Sequence, residues 1–554
     1  MRKIKQSVEN RFAENTNGNI AIMFAFTFSL LMLFTGGALD FARYNAVRAD
    51  LIESLDASGL AMAQLDAMNG PELRNLSDSE RKEYLKAYGK DFFFENFNHE
   101  DIIDGLSIDY DIDNTKITPR AQGTLKTLLL HVGTDLLGLP GGGFESLAMT
   151  TDTEITRAAT GNTEVTLVLD TTGSMNSGSK MSDLKDAANE FVDILIRNDQ
   201  SQFYSKVAVV PYGGSVNLGA AQAAVARGPI LPAKSITGIN KNSKVTITAP
   251  NHGFVNNDYI VIKNVNGMTQ INNTGENVYR VQNATANTFQ IKKNTGSTWV
   301  DSSSYSNYAS GGEIYCASGN GCRYNYFVNQ SGSRRLFEIT SCVSERNGAQ
   351  AYTDAGPAGA TFGRVYGPIG GAYMCPPSQA VGLTANRTQA HATINALAAN
   401  GNTGGHVGVA WGWYAVSPNF ASMFTGDSAP AAYDDDVAKS IVLMTDGEYN
   451  SSYCNGVVSQ SSTSGSGGST DHINCNAPNG HSFDQAQSLC AAMKTAGVTV
   501  YTVGFQIVND QRARDLMTNC ATGPSYAYLA EDGAALKRVF ADIAQNIAKL
   551  HVSR

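Results

Sequence analysis

Apolar residues are distributed along this chain in distinct textures, and each predicts a different element. From Ile20 to Leu39 the run IAIMFAFTFSLLMLFTGGAL carries no charge. Twenty helical residues cross a hydrocarbon core of about 30 Å. Ten of them are Leu, Ile or Phe, which together give roughly −3 to −6 kcal/mol towards insertion. Beyond this run, Tyr44, Val47, Leu51, Leu55, Ser58, Met62 and Leu65 recur at intervals of three and four. That period predicts that the helix continues with one apolar face. Asn69-Gly70-Pro71 ends it.

From 71 to about 160 the pattern is that of a small α+β region. Leu106 to Ile112 alternates as a strand, Leu125 to Leu137 reads as a short helix, and Ala148 to Arg157 returns as a strand. At 164 the texture changes. Glu164-Val-Thr-Leu-Val-Leu-Asp170, Lys206-Val-Ala-Val-Val-Pro211, Ser440-Ile-Val-Leu-Met-Thr-Asp446 and Val498-Thr-Val-Tyr-Thr-Val-Gly504 are continuous apolar runs. Such runs suit strands buried on both faces of a parallel sheet. Helical periods at 180–197, 387–399, 483–496, 510–519 and 533–550 alternate with them. Strand–helix alternation predicts an open, doubly wound α/β sheet, whose ligand site lies beyond the carboxyl ends of its strands. Between 220 and 385 this pattern is interrupted. Val245-Thr-Ile-Thr, Tyr259-Ile-Val-Ile, Val278-Tyr-Arg-Val and Thr288-Phe-Gln-Ile alternate strictly, with Asn, Gly and Asp between them. A small antiparallel β module is expected there. Gln460 to Ser469 is Ser/Gly-rich and reads as a flexible loop on the same side as Asp446. Asp434-Asp435-Asp436 reads as a solvated loop before a strand.

Composition narrows the function. A net charge of −9 over 554 residues leaves no large basic footprint, so nucleic acid is not expected as a partner. Arg2, Lys3, Lys5 and Arg11 precede the apolar run against Glu9 and Glu14, which favours an inside N-terminus and an outside remainder. The competing reading is a cleaved signal peptide with Ala38 at the cut, although twenty residues exceed the usual 7–15 of its apolar core. All eight cysteines lie at or beyond Cys316 in polar, Gly/Ser-rich sequence. They predict disulfides and an oxidising compartment. No nucleophile elbow, H-E-x-x-H or P-loop is present, so an enzyme is not expected.

The predicted strand ends carry the chemistry. Asp170-x-Thr172-x-Ser174 closes the first parallel strand, and Thr445-Asp446-Gly447 closes a later one. Carboxylate and hydroxyl oxygens are hard ligands suited to Mg²⁺, or to another divalent cation such as Ca²⁺ or Mn²⁺. Asp170-x-Thr172-x-Ser174 alone reads better as a cap on the following helix than as a metal site; its pairing with Thr445-Asp446-Gly447 at a second strand end points to a metal. His252, before Gly253, reads as a turn residue rather than a ligand.

These motifs resemble the von Willebrand factor type A domain and its metal-ion-dependent adhesion site, over roughly 163–219 and 386–554. The resemblance implies a Rossmann-like sheet split by the β-rich insertion. It implies that Thr172 and Ser174 bind the ion directly, that Asp170 and Asp446 act mainly through waters, and that Thr403 of Asn402-Thr403-Gly404-Gly405 completes the set. Ser is usual where Thr172 stands; the hydroxyl is kept. Gly18-Asn-Ile-Ala-Ile-Met-Phe-Ala, Gly37-Ala-Leu-Asp40-Phe-Ala-Arg43 and Leu51…Leu55-Asp56-Ala57…Leu60-Ala61 resemble the N-terminal signature of TadE/TadG-like Flp pilus-assembly proteins. A processed prepilin usually has Glu five residues after the cleavage Gly; Met23 stands there and departs from that pattern. Ala249-Pro-Asn-His252-Gly253-Phe…Gly267-Met…Asn287-Thr-Phe289 resembles small β-barrel repeats of surface proteins, of the type also inserted in ubiquitin-activating enzymes.

The expected organisation follows. Residues 1–19 are cytoplasmic, 20–39 span the membrane, 40–68 extend the helix and 69–160 form a pilin-like spacer. Residues 161–554 form the type A domain, with insertion 220–385 and β module 243–315. The resemblances imply a single-pass protein of the bacterial inner membrane with its C-terminal domain periplasmic or extracellular. It would belong to a Tad pilus-assembly system and bind other pilus-assembly or surface proteins through an acidic side chain on the ion. The alternative is a surface adhesin using the same site on a foreign ligand. For the disulfides, Cys490 and Cys520 are expected to pair. They lie on helices either side of the 498–505 strand, whose ends can meet on one face; eight cysteines allow 105 pairings, so the rest stay open.

Overall fold

The computed structural model describes residues 17–68, 71–74, 76–113, 116–136, 144–156, 161–198, 200, 203–294, 297–370, 374–433 and 437–549. The Asp434–Asp436 run and the Asn69-Gly70 stop therefore lie outside the described residues. The protein is mixed α/β and divides into two compact units, Met1–Thr160 with Ala548–Arg554 and Gly161–Ile547.

In the first unit one helix, α1 (Asn17–Met68), runs unbroken for about 78 Å at 1.5 Å per residue. Its early turns leave Ile20, Phe24 and Phe34 65%, 67% and 72% exposed. Large apolar groups so bare suit a lipid span or a signal sequence, and among the described residues this is the one helix long and apolar enough to cross a membrane. Further along, Val47, Leu51, Leu55 and Met62 are buried. They pack with Leu85 and Phe93 of α2 (Asp78–Asn96), Tyr110 of β1 (Ile103–Ile112), Ile117 and Ala121 of β2 (Lys116–Lys126), and Met149 of β3 (Ser146–Asp152). Ser77 and Glu80 cap α2 reciprocally. Gly89 lets the two helices close, because a Cβ there would meet Met62 Sδ at 2.2 Å. The short α3 (Leu130–Leu136) begins on α1. The buried Asp40 carboxylate accepts the amides of Leu128, Leu129 and Leu130 at 2.7–2.9 Å. Leu125, read as the start of a helix, instead lies in β2, and the helix begins at Leu130.

The second unit contains β4 (Asn162–Asp170), α4 (Lys180–Leu195), β5 (Ser205–Tyr212), β6 (Val381–Thr384), α5 (Arg387–Asn395), α6 (Gly405–Tyr414), β7 (Val437–Thr445), α7 (Ser482–Thr495), β8 (Thr499–Phe505), α8 (Gln511–Cys520), β9 (Ala527–Ala530) and α9 (Gly533–Lys549). The six strands make one sheet in the order β6-β5-β4-β7-β8-β9, parallel except for β6. Side chains alternate across it, which is why these strands are apolar throughout. Val168, Val210, Ile441 and Leu443 face a core with α6, α7 and α8. Leu167, Leu169, Val442 and Val503 face a second core with α4, α5 and α9. Near the amino ends of β4 and β7, Lys439 Nζ lies 2.5 Å from Glu164 Oε2, both side chains being inside the core. Glu164 Oε1 also accepts from Tyr204 and the Ala431 amide.

The expected antiparallel module is a seven-stranded sheet, wider than 243–315 because Lys234–Ser235 and Gly238–Asn240 add to its edges. Its core holds Ile247, Ile260, Val281, Phe289 and Ile291. His252 is a turn residue, its Nδ1 accepting the Phe254 amide at 2.9 Å. A further sheet pairs Tyr324–Val328, Arg334–Ser344 and Gly363–Pro368 with Val216–Asn217. The cysteines form four disulfides: Cys316–Cys322, Cys342–Cys375, Cys454–Cys475 and Cys490–Cys520.

Candidate functional site

Adjacent strands β4 and β7 end side by side, and the chain turns away from both at the same edge of the sheet. Asp170 is the last residue of β4, and Asp446 follows the last residue of β7. Asp170 is completely buried and is held by a full set of donors. Its Oδ1 accepts the Thr172 amide at 2.9 Å and the Thr172 hydroxyl at 2.7 Å. Its Oδ2 accepts the Thr445 hydroxyl at 2.9 Å and lies 3.0 Å from the Tyr212 hydroxyl at the end of β5. Burial first, and the Asp446 carboxylate second, push the Asp170 carboxyl up to about 6, against the hydrogen bonds from Thr172 and Thr445.

The chain of contacts continues outwards. Thr172 Oγ1 lies 2.9 Å from Ser174 Oγ, and Ser174 Oγ donates to Asp446 Oδ1 at 2.6 Å. Ser174 is the exposed member. The other Asp446 oxygen takes the ammonium of Lys180, the first residue of α4, at 2.9 Å. Thus Asp170, Thr172, Ser174 and Asp446 form one hydrogen-bonded set.

Thr403 occupies the loop alongside. Asn400 donates its amide to Thr171 O at 2.8 Å, and Gly173 donates to Gly401 O at 2.9 Å. Thr403 is fixed through its backbone, its amide donating to Asn450 Oδ1 and its carbonyl accepting from Asn450 and Ser451. No hydrogen bond joins its side chain to the other four. Gly405 at the start of α6 lets the loop lie close on Tyr449, where a Cβ would fall 2.1 Å from the ring. Gln460 to Ser469, expected as a free rim, is tied down instead. Ser459 Oγ lies 3.1 Å from Ser452 Oγ, Ser466 is buried, and Ser466 O accepts from the Asn402 amide group.

Three residues of the site escaped the sequence reading. Lys180 had no local signal, since its partner is 266 positions away. Tyr212 followed a recognised strand, and Thr445 stood inside the quoted Thr445-Asp446-Gly447 but was not assigned a role.

The donor set suits a hard cation. Among the described residues no cluster of three or more His, Cys, Asp or Glu is placed to hold a metal; here two carboxylates are joined by hydroxyls. The Thr172–Ser174 and Ser174–Asp446 oxygen separations, 2.9 and 2.6 Å, are close to the edge of about 2.9 Å that an octahedron with 2.0–2.1 Å bonds requires.

Comparison with known proteins adds the following. Residues 240–317 match the model of the ubiquitin-activating enzyme E1 FCCH domain. No curated protein matches the sequence. Among solved structures, the pilus adhesin SpaC from Lactobacillus rhamnosus GG is 12% identical with a TM-score of 0.30, over 80% of this chain and 34% of its own. This chain therefore spans about a third of SpaC. The vWF domain of the type V pili tip protein Mfa5 from Porphyromonas gingivalis is 10% identical with a TM-score of 0.33, over 71% of this chain and 97% of its own. Proximal thread matrix protein 1 from the mussel byssus, with a zinc-occupied MIDAS motif, is 9% identical with a TM-score of 0.27, over 71% of this chain and 48% of its own. Scores in this range do not establish a shared fold.

Proposed function

We propose that this chain is a membrane-anchored component of a Tad-type pilus-assembly system, whose outer unit has a von Willebrand factor type A fold and binds a partner protein through a divalent cation. The observation that carries the reading is the hydrogen-bonded set Asp170–Thr172–Ser174–Asp446 across two parallel strand ends. The exposed apolar helix and the pairing of all eight cysteines support an anchored protein facing an oxidising compartment. Thr172 and Ser174 would hold the cation, Mg²⁺ being the best fit, with Asp170 and Asp446 behind them and Thr403 at the rim. A bound divalent cation supplies a coordination position that a partner's carboxylate can fill.

This chain's residues prepare that position. Asp170, locked by Thr445 and Tyr212, fixes Thr172, and Thr172 in turn orients Ser174. Asp446, held by the Lys180 ammonium, would supply negative charge to a bound ion. The role we propose for this set is binding rather than catalysis. The test is a pull-down of pilus components with the full-length protein, in Mg²⁺ and in EDTA. Capture that needs Mg²⁺ and is lost in Asp446→Ala supports the proposal. Equal capture in both buffers removes the cation from it, and Mg²⁺-dependent capture of host-surface proteins alone makes the chain an adhesin.

A further inference from the structure

Away from the strand ends, the helix Gly219–Arg227 finishes with an arginine that the rest of the unit leaves unanswered. Arg227 is only 4% exposed, yet its Nε and Nη1 have no hydrogen-bond partner among the described residues. The groups that act on its charge are Arg364, a second cation, and the Tyr366 phenol. Burial first, and Arg364 second, push the guanidinium down to about 10, so it stays charged at neutral pH. Arg364 is already committed to Asn320 Oδ1 and the Pro229 carbonyl. A buried cation beside another cation, with free donors, is an expensive arrangement unless an anion completes it.

Arg227 lines a pocket of about 540 Å³, within the range of small-ligand sites. One wall is apolar, formed by Ile230, Leu231 and Ile339. Ile230 and Leu231 are exposed, so the pocket opens to solvent there. The lining also includes Arg323, but its guanidinium is neutralised by Glu338 at 2.8 Å and lies over the Tyr315 ring. Among the pocket's lining residues Arg227 thus carries two unpartnered donors, shielded from solvent, beside an apolar surface.

We propose that this pocket binds a carboxylate bearing a short apolar group, with the carboxylate on Arg227 and the apolar part against Ile230, Leu231 and Ile339. A guanidinium receives a carboxylate through two parallel N–H donors, which a neutral ligand cannot match. Two sources share this chemistry: a free short-chain carboxylate, and the C-terminal residue of a peptide ending in an apolar side chain.

The test is calorimetry on the full-length protein in detergent, with hexanoate, acetyl-Ala-Leu and acetyl-Ala-Leu-amide as probes. At least one free carboxylate is expected to bind, and the amide to bind about tenfold or more weakly, the loss that goes with one charge-assisted pair. Preference for the peptide over hexanoate identifies a protein C-terminus as the source, and the reverse identifies a free acid. Arg227→Gln should abolish binding while the protein melts no lower than the parent, because the charge it removes is unpaired. Leu231→Asp, at an exposed position, should keep the fold and weaken binding through the apolar wall. If acid and amide bind alike, or neither carboxylate binds to folded protein at millimolar concentration, the proposal is wrong.

Discussion

Replacing Lys180 by Met should tighten cation binding, which is the opposite of what loss of a site residue normally does. The Lys180 ammonium lies 2.9 Å from Asp446 Oδ2, and the Asp446 side chain is 1% exposed. In the proposed role, a cation held by Thr172 and Ser174 would compete with this ammonium for the Asp446 carboxylate. Hydrogen bonds to charged groups contribute about 1.5–3 kcal/mol net, and the lower part of that range applies because Lys180 is 16% exposed and its charge is rehydrated on release. Lys180→Met should therefore lower the Mg²⁺ dissociation constant by about tenfold. The same change leaves two carboxylates without a counter-charge, so the ion-free protein should lose about 1–2 kcal/mol. The two effects have opposite signs and are read together, by calorimetric titration with Mg²⁺ and by melting with and without it. Lys180→Arg, which keeps the charge, should behave like the parent in both. If Lys180→Met binds Mg²⁺ no better than the parent while still folded, Lys180 positions Asp446 for the ion rather than competing with it.

Other consequences are equally open to measurement. Glu164→Gln should destabilise the second unit by about 3–5 kcal/mol, because Lys439 is left charged in the core; denaturant melts check this, and the double change Glu164→Leu with Lys439→Met should recover most of the loss. Cys490→Ser with Cys520→Ser opens a 30-residue loop and should cost about 3–4 kcal/mol in the chain-entropy view, with non-reducing peptide maps of the parent showing the linked pair. Asp40→Ala removes the acceptor of three amides at the start of α3 and should cost about 2–4 kcal/mol locally. Faster proteolysis within 126–136, with the 40–68 stretch still protected, is the expected pattern; unchanged cleavage would falsify the latch.

The sequence was most informative where one period persisted over many residues. The face Val47-Leu51-Leu55-Met62 is buried as its spacing required, because α1 has a single core to cover. The four apolar runs of the second unit are adjacent strands, since only a sheet covered on both faces uses such runs. α2 was not recognised, although Ser77 and Glu80 mark its start. Its aromatic residues lie on more than one face, with Tyr84 and Tyr88 exposed and Leu85 and Phe93 buried, so no single stripe stands out. β2 was hidden by Pro119 and Gly123, which weaken a strand pattern. Ser/Gly composition suggested a loose 460–469 loop, whereas hydroxyl pairs around Ser452, Ser459 and Ser462 and the Cys454–Cys475 bridge hold it. At the candidate site the two motifs were visible separately. Their junction through Ser174 and Lys180 is a long-range event that no local pattern encodes.

The position of β4 has a mechanical consequence. It is the first strand of the second unit, and Asp170 lies at its far end beside Asp446 of β7, so in the proposed role a pull that enters at Asn162 and is opposed by a partner at the candidate site runs into this strand. β4 is registered with β5 from Thr163 to Asp170 and with β7 from Asn162 to Leu169, both in parallel. Where that pull is opposed through Asp446 at the end of β7, it loads the β4–β7 ladder in shear, so its hydrogen bonds must fail together, whereas an edge strand pulled crosswise would unzip one bond at a time. Resistance to force is set by the unfolding rate rather than by equilibrium stability. By that measure the central β4–β7 pair is the strong path through the second unit, and a load applied instead through the outermost β9, joined to β8 over four residue pairs, would meet far less resistance.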